Sequence, residues 1–301
     1  MSREKYRYLE EFIDPKTGFP IEGGVSPKFV NTKHFGRRLL HQIAKCEYVD
    51  TEDENGNKSV SVEIGEKGGW IERKSNLSQK GDCWIEEGAI ACGSSTVRGN
   101  AVLKDEAEIG DSAIVSDSAV VQDTAWICEH GSASDKAVLK DESRIEGSGT
   151  VKCMVAGKSV IKENARVLCD RNDPEEGLTS ESPSIKDSEI GGMAYLSGDV
   201  RVYGAKVTGN SKIVSFARIG EGAVIKGESF IAGEIAGEIE LDSCILCTPR
   251  VYDDDKLPEV PYDIDKVKRL ETDIENLDGM EGAVCSSFSY NGRIGTNLTM
   301  Y

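Results

Sequence analysis

An all-β chain wound as a parallel β-helix from hexapeptide repeats is the fold class that the sequence predicts, and three observations carry it. Taken every sixth residue, the positions Ile85, Ala91, Val97, Leu103, Ile109, Val115, Val121, Ile127, Ala133, Leu139, Ile145 and Val151 are all aliphatic. The residues two before them, Cys83, Ala89, Ser95, Ala101, Ala107, Ala113, Ala119, Ala125, Gly131, Ala137, Ser143 and Gly149, are all small. Between these pairs run short segments rich in Asp, Glu and Gly, the residues of tight turns. If each class makes up about a third of residues, so many consecutive matches have a chance probability on the order of 10⁻¹¹.

The pattern has a direct physical meaning. A residue and its second neighbour share one face of a strand, so each hexad buries one small and one aliphatic side chain before it turns. Three such sides close a triangular coil. Coils then stack about 4.8 Å apart, with backbone hydrogen bonds along the axis and like side chains in columns. Val121 is therefore predicted to point inward and Val120 outward.

The frame returns at Ser159/Ile161 and Ala165/Val167 and breaks over Cys169 to Ser184, where DRNDPEEGLTSESPS reads as an ejected loop. A second array keeps the period at Ile190, Leu196 and Val202. After a slip of one residue it resumes at Ile213, Ile219, Ile225 and Ile231, each preceded by a small residue, and after another at Ile239, Ile245 and Val251. Ahead of the coils, Ile43 to Val49 and Val60 to Ile64 flank DTEDENGNKS, a hairpin signal with Asn-Gly near its tip. Beyond them, Val267, Leu270, Ile274 and Leu277 have helical spacing between a capping Asp263 and a terminating Gly279. Val284 to Tyr290 and Arg293 to Met300 flank Asn291-Gly292, a second hairpin. The chain divides accordingly into an N-terminal segment and hairpin cap (1–68), a first array (69–168), the ejected loop (169–184), a second array (185–252) and a C-terminal helix plus hairpin (253–301).

Composition excludes several classes. No run of about 18 apolar residues offers a membrane span, and the start MSREKYRYLEEF has no apolar signal core, so a soluble, cytoplasmic protein is expected. Nine irregularly spaced cysteines point to reduced thiols, and Cys244-x-x-Cys247 lacks the two further ligands that tetrahedral zinc needs. A formal charge of −17 opposes direct nucleic-acid or anionic-membrane binding and leaves room for a basic protein partner.

The segment GGWIERKSNLSQKGDCWI, Gly68 to Ile85, leading straight into hexads, resembles the YdcK-like family of hexapeptide-repeat proteins. The resemblance covers roughly Leu39 to Val251. It implies a left-handed parallel β-helix, a homotrimer with parallel axes, and an acyl-CoA-dependent acetyltransferase activity that is an analogy from fold. Acyltransferases of this class hold acetyl-CoA in a groove between subunits and often use an imidazole as base.

The coils contain a single histidine, His130, at a turn, with Ser112 and Ser148 eighteen residues to either side and Trp126 on an outward position four residues earlier. As a site, His130 is the catalytic base and Ser112, Trp126 and Ser148 line the substrate; as plain structure, it is a turn histidine beside an interface tryptophan. One coil histidine argues against the three-histidine metal centres of this fold, so no metal is expected. The fragment Ala156 to Ser159 fails as a P-loop, because Lys152 stands where glycine is required. Glu87, Asp105, Asp123 and Asp141, spaced by eighteen, form an acidic ladder, either a solvated edge or a binding surface for a cation or basic protein. His34, Arg37, Arg38 and His41 form a basic cluster that suits an anion such as a CoA phosphate or a plain surface.

Two functional readings follow. In one the chain is a homotrimeric, acidic β-helix that binds a partner or small ligand through a presented surface or inter-subunit groove. Outward Ile90, Ile114, Val120, Trp126 and Val138 would supply the apolar trimer contact. In the other it is an acetyl-CoA-dependent acetyltransferase with His130 as general base.

Overall fold

The computed structural model describes residues 3–13, 17, 19–21, 27–52, 58–147, 153–168, 183–198, 200–214, 217–252, 282–290 and 293–300. Over these the chain is an all-β, parallel β-solenoid of about 8 turns. Strands of two or three residues alternate with turns, and each pairs in parallel with its counterpart one coil on, as where Val121 lies between Leu103 and Leu139.

Inside the first array, every residue of the aliphatic frame from Ile85 to Ile145 is fully buried. The small residues between Ala89 and Ser143 lie beneath them, also without solvent contact. The last step of the frame is corrected. Val151 falls outside the described residues, and the residue in register with Ala133 is Val155, so this coil is longer by four residues than eighteen. Above it Ile161 and Val167 continue the columns of Leu139 and Ile145.

The second array uses shorter sides. Ile185 stacks on Val155 and Ile190 on Ile161, five residues apart instead of six; Val202 and Val207 repeat this one coil on. Ile185 and Val207 are thus core residues that the hexad frame passes over. At the far end the register sets Leu246, not Ile245, opposite the buried Ile231, and Val251 opposite Ile235.

The lower end is closed by β1 (Tyr6–Tyr8), β2 (Lys28–Asn31), β3 (Arg37–Glu52) and β4 (Lys58–Ile71). β3 and β4 form the expected hairpin, with β1 and β2 antiparallel on β3. The end of β4 turns parallel, with Trp70 opposite Ile90 and Ile71 opposite Ala91, and so becomes the first side of the solenoid. Gly69 permits the change, because a Cβ there would sit 2.4 Å from the carbonyl oxygens of Glu86 and Ala89. Asn76, fully buried, then locks the next turn. It accepts the Arg73 N–H at 2.7 Å and donates to the Ser95 carbonyl at 2.8 Å. The ring of Tyr6 plugs the base of the core, its hydroxyl donating to the carbonyls of Lys74 and Leu77, both at 2.7 Å.

At the other end, strand Ile239–Tyr252 pairs antiparallel with Gly282–Tyr290, which pairs with Arg293–Met300 as the second expected hairpin. The helix expected between Asp263 and Gly279 lies outside the described residues. Among the described residues no helix is long and apolar enough to cross a membrane.

Candidate functional site

The turn between β2 and β3 reaches back over one face of the first array. Gly36 takes φ +69°, and its carbonyl accepts both the N–H and the hydroxyl of Thr32, at 3.0 and 2.9 Å. The backbone of this turn is held by Glu108, an outward coil residue only 4% exposed. Its carboxylate accepts the N–H groups of Lys33 at 2.8 Å and of His34 at 3.0 Å. The Lys33 ammonium pairs with Glu106. Gly110 leaves room for Phe35, whose ring would lie 2.3 Å from a Cβ at that position. These contacts lay the His34 imidazole flat on the Trp126 indole, ring centroids 4.3 Å apart and planes within 8°. Burial lowers the His34 pKa from its ordinary value, and the charges of Lys33 and Arg144 push it the same way, against an opposing pull from Glu108.

Beyond this stack, Trp126, Arg144 and Arg166 are register partners in successive coils and form one outward file. Thr124, Glu142 and Asn164 stand two residues earlier in the same coils and form a parallel file. Together with Lys33 and His34, the two files line a groove of about 400 Å³, within the usual range for small-ligand sites. The Arg144 guanidinium lies 5.4 Å from the Trp126 ring centre and 3.8 Å from the Glu146 carboxylate. Its Nε is buried and has no hydrogen-bond partner among the described residues. Arg166 and Glu142 are exposed. Three cations and one carboxylate therefore line this groove, on a chain whose overall charge is −17, with Glu106 paired to Lys33 and Glu146 near Arg144 outside the lining.

His130 occupies a turn after strand Trp126–Cys128 and is half-buried, with Nδ1 buried and unpartnered among the described residues. The backbone of Gly147 presses against it, since a Cβ there would lie 2.4 Å from the His130 nitrogen. Ser112, one coil below, is also half-buried, and its N–H donates to the Glu129 carbonyl at 2.9 Å. Ser148 falls outside the described residues. Trp126 lines the groove with His34, whereas His130 and Ser112 do not line it.

The acidic ladder has an internal use. Asp105, Asp123, Asp141 and Glu163 all take φ between 54° and 59°, the left-handed corner conformation. Asp105 accepts the N–H of Asp123 at 3.2 Å, Asp123 that of Asp141 at 3.0 Å, and Asp141 that of Glu163 at 3.0 Å. Glu87 departs from this pattern, because the left-handed residue of its turn is Gly88.

The basic cluster separates. His41 pairs with Glu10 and stacks on Tyr8, Arg37 lies over Phe29, and Arg38 donates to the Phe35 carbonyl at 3.0 Å. Only His34 reaches the groove. Ile90, expected outward and apolar, is 7% exposed, covered by packing with Leu40 and Cys92 in the cluster that Val30, Phe35 and Trp70 flank. Among the described residues Cys46, Cys83, Cys92 and Cys128 are free thiols. Burial pushes Cys46 up to about 11 and Cys92 up to about 12, which keeps both protonated and unreactive. No group of His, Cys, Asp and Glu suited to a metal ion occurs among the described residues.

Sequence reasoning missed Thr124, Glu142, Arg144, Asn164 and Arg166. The available signal was their spacing, by eighteen and then by twenty-two residues, on outward positions beside Trp126. No protein-family model matches this chain, and no curated protein does.

Proposed function

We propose that the chain is a ligand-binding protein, a parallel homotrimer of acidic left-handed β-helices that presents a basic groove to a small anionic ligand. The observation that carries this reading is the buried Nε of Arg144, without a hydrogen-bond partner among the described residues, beside Arg166 and Lys33 in a groove of ligand size. A buried donor without an acceptor costs about 1–3 kcal/mol, and an oxyanion seated there would remove that cost. The test is calorimetry with inorganic phosphate and sulfate on the wild type and on Arg144→Gln/Arg166→Gln. Binding weakened by about tenfold or more in the variant supports the reading. Equal binding by both proteins overturns it, as does the absence of binding by any oxyanion, inorganic or organic.

Support for the trimer is a file of half-buried valines, Val102, Val120, Val138 and Val160, in register on another side of the solenoid. A second copy laid on it would remove this apolar area from water. A monomer mass by light scattering at micromolar concentration would refute that assembly.

The Nδ1 of His130, which has no hydrogen-bond partner among the described residues, supports a second reading, acetyl-CoA-dependent acyl transfer, since a general base needs a ring nitrogen whose lone pair is not already engaged. Under it, acetyl-CoA binds and His130→Ala loses about 10²–10⁴-fold in thiol release while keeping CoA affinity. Absence of binding at millimolar acetyl-CoA retires it.

A further inference from the structure

We infer that the ligand of the Trp126 groove is an anionic sugar or similar polyol, a molecule with an oxyanion group on one edge and hydroxyl donors on the other. This rests on the reading of the groove as an anion site and adds what its second file recognises.

The groove is a grid of two files across three coils, about 4.8 Å from coil to coil. In one file Arg144 follows Trp126 and Arg166 follows Arg144, so two arginines stand one coil apart on the same side. That spacing suits a single carboxylate or phosphate gripped from two directions. Lys33 adds a third cation at the end where the β2–β3 turn closes over.

The other file offers acceptors. The Thr124 hydroxyl already donates to the Asp141 carbonyl at 3.0 Å, so what it has left for a ligand is lone pairs. Glu142 supplies a carboxylate, an acceptor only when ionised, and Asn164 a side-chain amide that accepts through its oxygen and donates through its nitrogen. A bare inorganic dianion gains only the Asn164 amide N–H from this file and is repelled by Glu142. A ligand carrying hydroxyls gains from both files at once. The side chains of the groove are polar or aromatic, and the indole is already engaged by His34 at 4.3 Å and by Arg144 at 5.4 Å. No apolar wall remains for an acyl chain.

Titration of the full-length protein with glucose 6-phosphate, glucuronate, glucose and inorganic phosphate separates the two layers of the argument. Both anionic sugars are expected to bind about tenfold or more tightly than inorganic phosphate, and glucose least of all. The phosphate ester and the carboxylate compete for one site, and their order identifies the preferred oxyanion. Glu142→Ala, at an exposed position that leaves the fold intact by melting temperature, should narrow the preference for the anionic sugars over inorganic phosphate, because every anion loses the same repulsion and only the sugars lose an acceptor. Phosphate binding as tightly as either sugar, or a preference unmoved by Glu142→Ala, overturns the sugar assignment and leaves an anion site standing. Binding of no anion, or binding indifferent to Arg144→Gln/Arg166→Gln, defeats the anion reading itself. Glucose binding as tightly as glucuronate overturns both.

Discussion

His34 lies parallel to Trp126 at 4.3 Å although ninety-two residues separate them in the chain, and Glu108 fixes the pair by accepting the N–H groups of Lys33 and His34. The stack joins the N-terminal cap to the first array at the mouth of the groove. An aromatic pair of this kind contributes roughly 0.5–1.5 kcal/mol beyond its burial. His34→Ala is therefore expected to lower the unfolding free energy by about that amount and to shift the Trp126 indole N–H resonance. An unchanged resonance would show that the rings do not stack in solution.

The same stack makes stability depend on pH. Burial, with Lys33 and Arg144 nearby, lowers the pKa of His34 below its ordinary value. The unfolded chain then takes up the proton first as pH falls. The contribution of the neutral ring is present above the ordinary histidine pKa of about 6.5 and is lost as pH drops through the lower folded value. His34→Phe keeps a flat ring and removes the proton. Between about pH 7 and pH 5.5 the wild type should lose more melting temperature than His34→Phe, and equal losses would count against the assignment.

At the corners, a left-handed φ and a carboxylate that reaches the next coil are joined in one residue. Asp123, with φ 58°, donates its N–H to Asp105 and accepts that of Asp141. Asn tolerates this conformation and keeps an acceptor, so Asp123→Asn should be nearly neutral. Asp123→Val meets the full left-handed penalty and loses the bond to Asp141, costing about 1–2 kcal/mol from backbone strain alone. Chemical denaturation compares the two, and equal midpoints would show that the corner tolerates any side chain.

How far the molecule could be read from its sequence follows from which forces are local. The coils were legible because inward residues obey two rules at once, alternation along a strand and repetition between coils. Val151 was misplaced because the added residues before Val155 keep a valine in the old frame, and no pattern of single residues separates the two. Ile185 and Val207 escaped for a related reason, since a side shortened to five residues still buries an aliphatic but breaks the count. The groove was not legible. Its roof comes from a distant turn, and its local traces were a buried Glu108 on an outward position and Gly110 making way for Phe35. Arg144 and Arg166 come into register only through the longer coil, whose length the hexad count does not show.

The inward frame itself can be tested at one pair of neighbours. Val121 is fully enclosed between Leu103 and Leu139, whereas Val120 is half-buried in the valine file that includes Val102 and Val138. A carboxylate at position 121 would enter a column of aliphatics where nothing can hydrogen-bond it, so Val121→Asp should cost roughly 3 kcal/mol or more and leave little folded protein. Val120→Asp leaves the column intact, and its cost to the folded monomer should stay near 1 kcal/mol, typical of a position still reached by water. If the proposed trimer forms through this file, the larger effect is expected on assembly, because charges repeated around its axis would be forced together without solvent. Sedimentation and thermal melting on both variants distinguish the cases. Similar melting temperatures for wild type and Val121→Asp would mean that the frame is wrong, and an unchanged oligomer for Val120→Asp would move the subunit contact to another face.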